Sequence, residues 1–175
     1  MHRLSVFALA VLISLAGAAG SSSTLRARDE VSGLITRTYV IVEDTVLTGD
    51  VTCDVTGAPC FSFGAPGVQF GLNGFTITGK ADPATACAGG ALTANEPGIF
   101  TSNQPNVVVS GPGLVQRFRQ HGVSVGGSQD ARVENITAST NCGSGVFIAA
   151  NAFGTLVEGI TTVRNGSAAS PCGGV

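Results

Sequence analysis

Two nine-residue stretches 24 positions apart, VENITASTN (Val133 to Asn141) and VEGITTVRN (Val157 to Asn165), carry Val, Glu, Ile, Thr and Asn in the same places. A period of this length means stacked supersecondary units, each too small to bury its apolar face alone. Stepping back another 24 residues reaches Val109 in VVVSGPGLVQR, and a longer step of 37 reaches Leu72 in LNGFTITGK. A second column, Phe61, Ile99, Val123, Val146 and Val175, advances by 38, 24, 23 and 29 residues. The first long step of each column contains KADPATACAGGALTANEP, a Gly/Ala/Pro-bearing insertion, so the two columns keep step through it.

Within a unit the pattern is of short alternating strands separated by Gly, Asn or Ser, with no helical periodicity lasting beyond a turn. Leucine-rich repeats fail for want of a leucine ladder. One rung reads GVSV, then ARVENI, then TAST: three short strands in a coil of about 24 residues, pairing with the next coil about 4.8 Å away. Alternation places Val107, Val109, Ala131, Val133, Thr155 and Val157 inward, and Val108, Arg132, Glu134, Leu156 and Glu158 outward. Val123 and Val125, then Val146 and Ile148 one rung on, likewise face the core.

LNGFTITG followed by Asn/Gly-rich repeats such as VENITASTNCGSGVFIAANA resembles the right-handed parallel β-helix repeat proteins of the pectate-lyase-like superfamily. The resemblance covers roughly residues 38–175. It implies an all-β, right-handed parallel β-helix, a solenoid of about five coils with the insertion after the second. The segment TYVIVEDTVLTGDVTCDVTG resembles the first coil and N-terminal cap of such proteins. Because PCGGV ends where another inward strand would begin, the chain is read as truncated at its C-terminus. Superfamily members include lyases, hydrolases, epimerases and adhesins, so the fold leaves function open.

Residues 1–19 have the form of a secretory signal peptide: Arg3, an apolar run from Leu4 to about Leu15, and small residues at Ala16, Ala18 and Ala19. Residues 20–37 read as an N-terminal linker. No apolar run is long enough to span a bilayer, and the expected location is secreted or periplasmic. A net charge of -2 with 11% charged residues offers no footprint for nucleic acid or an anionic membrane. In an exported chain the five cysteines read first as disulfide material. Cys53 and Cys60 close a short loop; Cys142 and Cys172 precede equivalent strand starts; Cys87, in the insertion, is left over. No CxxC pair suggests a metal site.

The chemical candidates are few. Glu134 and Glu158 stack one rung apart, near the carboxylate separation of retaining glycosidases, and such a pair can share a proton or hold calcium. The ordinary reading is a solvated ladder neutralised by Arg132. His121 precedes Gly122 in RQHGV, a partial match to the G-H-G motif of polygalacturonases. The position before it is Gln120, and neither R-I-K nor the clustered Asp/Glu ligands of pectate lyases occur. Arg117, Arg119, His121 and Arg132 form the one basic concentration, suited to an acidic polysaccharide. Phe100 and Phe147, outward and two rungs apart, can stack on sugar rings along the axis. Asn141 and Asn165 occupy matching turns as a short amide ladder. NIT at Asn135 and NGS at Asn165 match the glycosylation sequon, of consequence only in a eukaryotic host. No cofactor is evident, calcium being the one ion to consider. The leading expectation is a polysaccharide-binding module; the alternatives are a polysaccharide lyase or glycoside hydrolase using Glu134, Glu158, Arg132 and His121, and a structural or adhesive surface protein.

Overall fold

The computed structural model describes residues 28–81, 95–166 and 174–175. The signal sequence, most of the insertion, Cys87 and Cys172 lie outside the described residues. Within them the chain is an all-β solenoid of short parallel strands on three faces. The first face stacks β2 (Tyr39–Ile41), β4 (Phe61–Phe63), β7 (Ile99–Ser102), β10 (Val123–Gly126) and β13 (Val146–Ile148). The second stacks the start of β3 (Thr45–Cys53) with β5 (Gln69–Gly71), β8 (Val108–Ser110), β11 (Arg132–Glu134) and β14 (Leu156–Glu158). The third stacks the end of β3 with β6 (Thr76–Thr78), β9 (Leu114–Gln116), β12 (Thr137–Ser139) and β15 (Thr161–Val163). β1 (Asp29–Ile35) runs along the other side of β3.

The registers Val109–Val133–Val157 and Phe61–Ile99–Val123–Val146 are those of the sequence columns. One step differs: Phe70, not Leu72, lies beside Val109. Both side chains are fully buried, and residues two apart on a strand point the same way, so apolar pattern alone does not separate them. Residues 29–35 also depart from expectation. They fall in the stretch read as linker, yet form β1 and bury Val31 and Ile35. A register shift between Val31 and Gly33 breaks the two-residue alternation that would have marked the strand. Inside the coil Val51, Ile77, Val115 and Ala138 form the third-face column of the core.

The corners explain the Gly, Asn and Asp content. Between the first and second faces, Gly67, Asn106, Asp130 and Gly154 occupy equivalent places with φ of 67°, 58°, 53° and 71°. Asn and Asp tolerate this left-handed region better than other side chains, and Gly enters it without steric cost. Between the third and first faces the left-handed places fall to Arg117, Thr140 and Arg164, types that seldom adopt it. There the backbone is held by side chains. Asn141 Oδ1 accepts the Phe118 N–H at 3.0 Å, and its Nδ2 donates to Val115 O and to Asn165 Oδ1. Asn165 repeats the pattern one rung on, donating to Ala138 O at 2.8 Å. The amide ladder expected from the matching turns is thus the lock of this corner.

Candidate functional site

The outer side of the first face carries one continuous row in register: Ser62, Phe100, Ser124 and Phe147. Alternation puts them outward because Phe61, Ile99, Val123 and Val146 point in. Phe100 and Phe147 therefore stand two ladder steps apart, about 9.6 Å, with Ser124 between them. Phe147 keeps 40% of its surface exposed, whereas Ser124 is buried between its neighbours. A groove of about 340 Å³ opens beside Phe100 and Ser124. Its other walls are Gly57, Ala58 and Pro59 of the loop before β4, then Asn95 and Pro97 before β7, and Gln120 from the next corner. It lies at the small end of ligand pockets and combines apolar surface with amide and hydroxyl groups.

The groove is braced from behind. Glu96 is 4% exposed, and its carboxylate accepts the Gly57 N–H at 2.5 Å and a forked pair from Arg119, at 2.5 and 2.7 Å. A carboxylate this buried is tolerable only with such partners, and the Arg fork is among the strongest available. Arg119 is therefore engaged in holding the loop before β4 against the next corner. Arg117 turns its Nε to the carbonyl of Ala81 at 2.9 Å. Two members of the basic concentration, Arg117 and Arg119, thus spend donors on partners within the protein, and Phe118 between them is buried.

His121 sits at the same corner. Its ring lies flat on Phe147, with centroids 4.4 Å apart and planes within 9°, and its Nδ1 accepts the Ser144 N–H at 2.9 Å. Burial holds the imidazole pKa below the ordinary histidine range. The structure thus gives His121 to the aromatic face rather than to the acidic one.

The acidic pair belongs to the second face, where Glu134 and Glu158 are direct ladder neighbours. Arg132, on the same strand as Glu134, donates its Nε to that carboxylate and brings an Nη2 within 3.6 Å of Glu158. Calcium takes six to eight oxygen ligands. Among the described residues no group of three or more His, Cys, Asp or Glu side chains is placed to hold a metal ion. The expected catalytic quartet is split between two faces: Glu134, Glu158 and Arg132 on one, His121 on the other.

Cys53 and Cys60 form a disulfide with Cα atoms 5.9 Å apart, which shapes the loop bearing Gly57 to Pro59 and belongs to oxidising, extracytoplasmic chemistry. Cys142 is disulfide-bonded too. Its expected partner Cys172 lies outside the described residues. Among the described residues no helix is long and apolar enough to cross a membrane. Residue patterns had not singled out Glu96, Gln120 and Pro59 as site residues. Each lies outside the repeat columns and reaches the groove through the corners, so periodicity carried no signal for it. No family model, curated protein or solved structure matches this chain.

Proposed function

We propose that this chain is an exported right-handed parallel β-helix of the pectate-lyase-like lineage, with about five coils and an insertion after the second, that binds polysaccharide along its first face. The protein would act in a secreted or periplasmic setting. The observation that carries the reading is the outward Phe100–Ser124–Phe147 row beside a groove with polar walls. Aromatic faces cover the apolar C–H faces of sugar rings, and the Asn95, Gln120 and Ser124 side chains can bond sugar hydroxyls. Because the row follows the coil axis, it suits a polymer laid lengthwise better than a compact ligand.

The test is retention on a panel of immobilised neutral and uronate polysaccharides. Retention of the natural chain on at least one polymer is expected, with Phe147→Ala and Phe100→Ala each weakening it by about tenfold, equivalent to the loss of one good aromatic contact. Absence of retention on every polymer overturns the binding reading and leaves a structural or adhesive role. The lyase or hydrolase alternative has in its favour the in-register Glu134/Glu158 pair. It requires soluble product from the same polymers and loss of that product in Glu134→Gln; binding without product removes it.

A further inference from the structure

We propose that His121 is a positioning residue for Phe147: its neutral ring holds the aromatic row assembled, and its protonation releases Phe147, making the first face a pH-gated surface. The consequence for ligand rests on the polysaccharide reading; the latch itself does not.

The geometry defines which form of the ring fits. Nδ1 accepts the Ser144 N–H at 2.9 Å, so it must be unprotonated and the proton must sit on Nε2. Protonated, the ring would turn a second N–H toward the Ser144 N–H, two donors face to face at a buried position. The backbone of the corner is tied on both sides and cannot shift to make room. His121 O accepts the Gly98 N–H at 3.0 Å, the Gln120 carbonyl accepts from Gly143 at 2.7 Å, and Gly122 donates to Ser144 O at 3.0 Å. A Cβ at Gly143 would lie 2.7 Å from Nδ1 and 3.0 Å from Cε1, so this corner admits the imidazole only because residue 143 has no side chain. A half-turn of the ring in place would only set a ring C–H where the Ser144 N–H needs an acceptor, so the conflict is fully relieved when the ring leaves, and Phe147 then loses the surface stacked against it.

Among the described residues no neighbouring charge offsets this. Within them the ring lies against Phe147 of β13 and residues 143–144 of the 141–145 corner, and the segment at 96–98 bonds its backbone. Glu96 and Arg119 are the charged groups on that segment and on the ring's own corner, and they are paired with each other. Arg117, further along that corner, is directed to Ala81. The 141–145 corner and β13 contribute no ionisable side chain except Cys142, which is disulfide-bonded. An imidazolium over a phenyl ring gains a cation–π attraction, but that attraction does nothing for the opposed donors. Burial, acting the same way, lowers the ring's pKa.

The experiment has two arms. In the first, the free protein, isotopically labelled, is titrated from pH 7.5 to pH 4.5 by NMR. His121 is expected to titrate below the ordinary imidazole value of about 6.5, with the Ser144 amide and the Phe147 ring shifting on the same curve. In His121→Phe those two curves should flatten. A Phe147 ring and Ser144 amide that stay unchanged while His121 titrates overturn the latch without reference to any ligand. In the second arm, retention on polygalacturonate and on a neutral glucan is measured across the same range. The natural chain should lose roughly tenfold of its affinity on acidification, and His121→Phe, whatever its level, should show no pH dependence. Retention at pH 7.5 that persists unchanged to pH 4.5 overturns the gating; absence of retention at every pH overturns the binding reading and leaves the NMR arm to judge the latch.

Discussion

Two stretches of the same solenoid, β4 to β6 and β10 to β12, occupy equivalent places on the three faces with strands paired on both sides, yet different forces hold them. The first points Phe61, Phe63, Phe70 and Ile77 into the coil, with the Phe61 and Phe70 rings 4.6 Å apart and Tyr39 tilted against Phe61. The second points in Val123, Val125, Val133 and Ala138 on the same backbone frame. What it lacks in apolar volume is offset by polar bonds in and around its corners: the partly buried Asn141–Asn165 ladder, the Ser144 N–H on His121, and the Thr101–Ser128 hydroxyl pair at 2.6 Å. A repeat fixes the backbone and leaves the means of stabilisation free to vary from rung to rung.

The strongest way to break the comparison is to truncate matched positions of one column. Phe70→Ala should cost about 3–5 kcal/mol and Val133→Ala about 2 kcal/mol, read from shifts in urea midpoint at unchanged slope. Equal costs would mean that the aromatic rungs are no more dependent on burial than the others. Asn141→Ala comes next, at about 2–4 kcal/mol, because it strands the buried Phe118 N–H and Val115 carbonyl together. Asn165→Ala should cost less, since Asn165 is only half-buried.

The two stretches should also fail at opposite ends of the pH scale. The Tyr39 hydroxyl is pushed up to about 12, first by burial and then by donating to the Asp29 carboxylate. Between pH 10 and about 12 the unfolded chain loses a proton that the folded chain keeps, so stability present below pH 10 is lost as pH rises through that window. His121 runs the other way: its folded pKa is lowered, so stability present above about pH 6.5 is lost as pH falls below it. Amide hydrogen exchange should show protection around residues 39–70 lost first in alkali and around residues 118–145 lost first in acid. Simultaneous loss in both directions would mean that the solenoid opens as one unit.

Much of this architecture was legible in the sequence. Val109, Val133 and Val157 recur because each must fill the same place in the core, and Asn141 and Asn165 because each must close the same corner. Legibility ended where the repeat ended. β1 has a partner in β3, but β3 runs straight through what is a corner in later coils, so neither matches the 24-residue template. Glu96 is a single acidic residue beside an insertion, and its clamp on Gly57 and Arg119 exists only in three dimensions. The contact of His121 with Phe147 is of the same kind. A corner residue meets a strand residue of the following rung, at a spacing no periodic pattern encodes. The Glu134–Glu158 pair shows the converse: its stacking and its neutralisation by Arg132 were both legible, because alternation puts all three on one outward face and the register stacks the two carboxylates.

That pair supplies the smallest and most discriminating prediction, because it asks whether electrostatics on the outer surface adds to the polar bonds that hold the second stretch. Arg132 is half exposed, and exposed ion pairs contribute about 0–1 kcal/mol. Removing it does more than delete two contacts, since it leaves carboxylates on adjacent rungs about 5 Å apart to repel one another. Arg132→Gln should therefore destabilise by about 0.5–1 kcal/mol at low salt, and by less in 1 M salt, where the screening length shrinks to about 3 Å. Adding Glu158→Gln removes the repulsion along with the charge, so the double variant should be more stable than Arg132→Gln alone. If the double variant is instead less stable than Arg132→Gln, then Glu158 contributes through something other than its charge, and the ladder is more than a consequence of stacking.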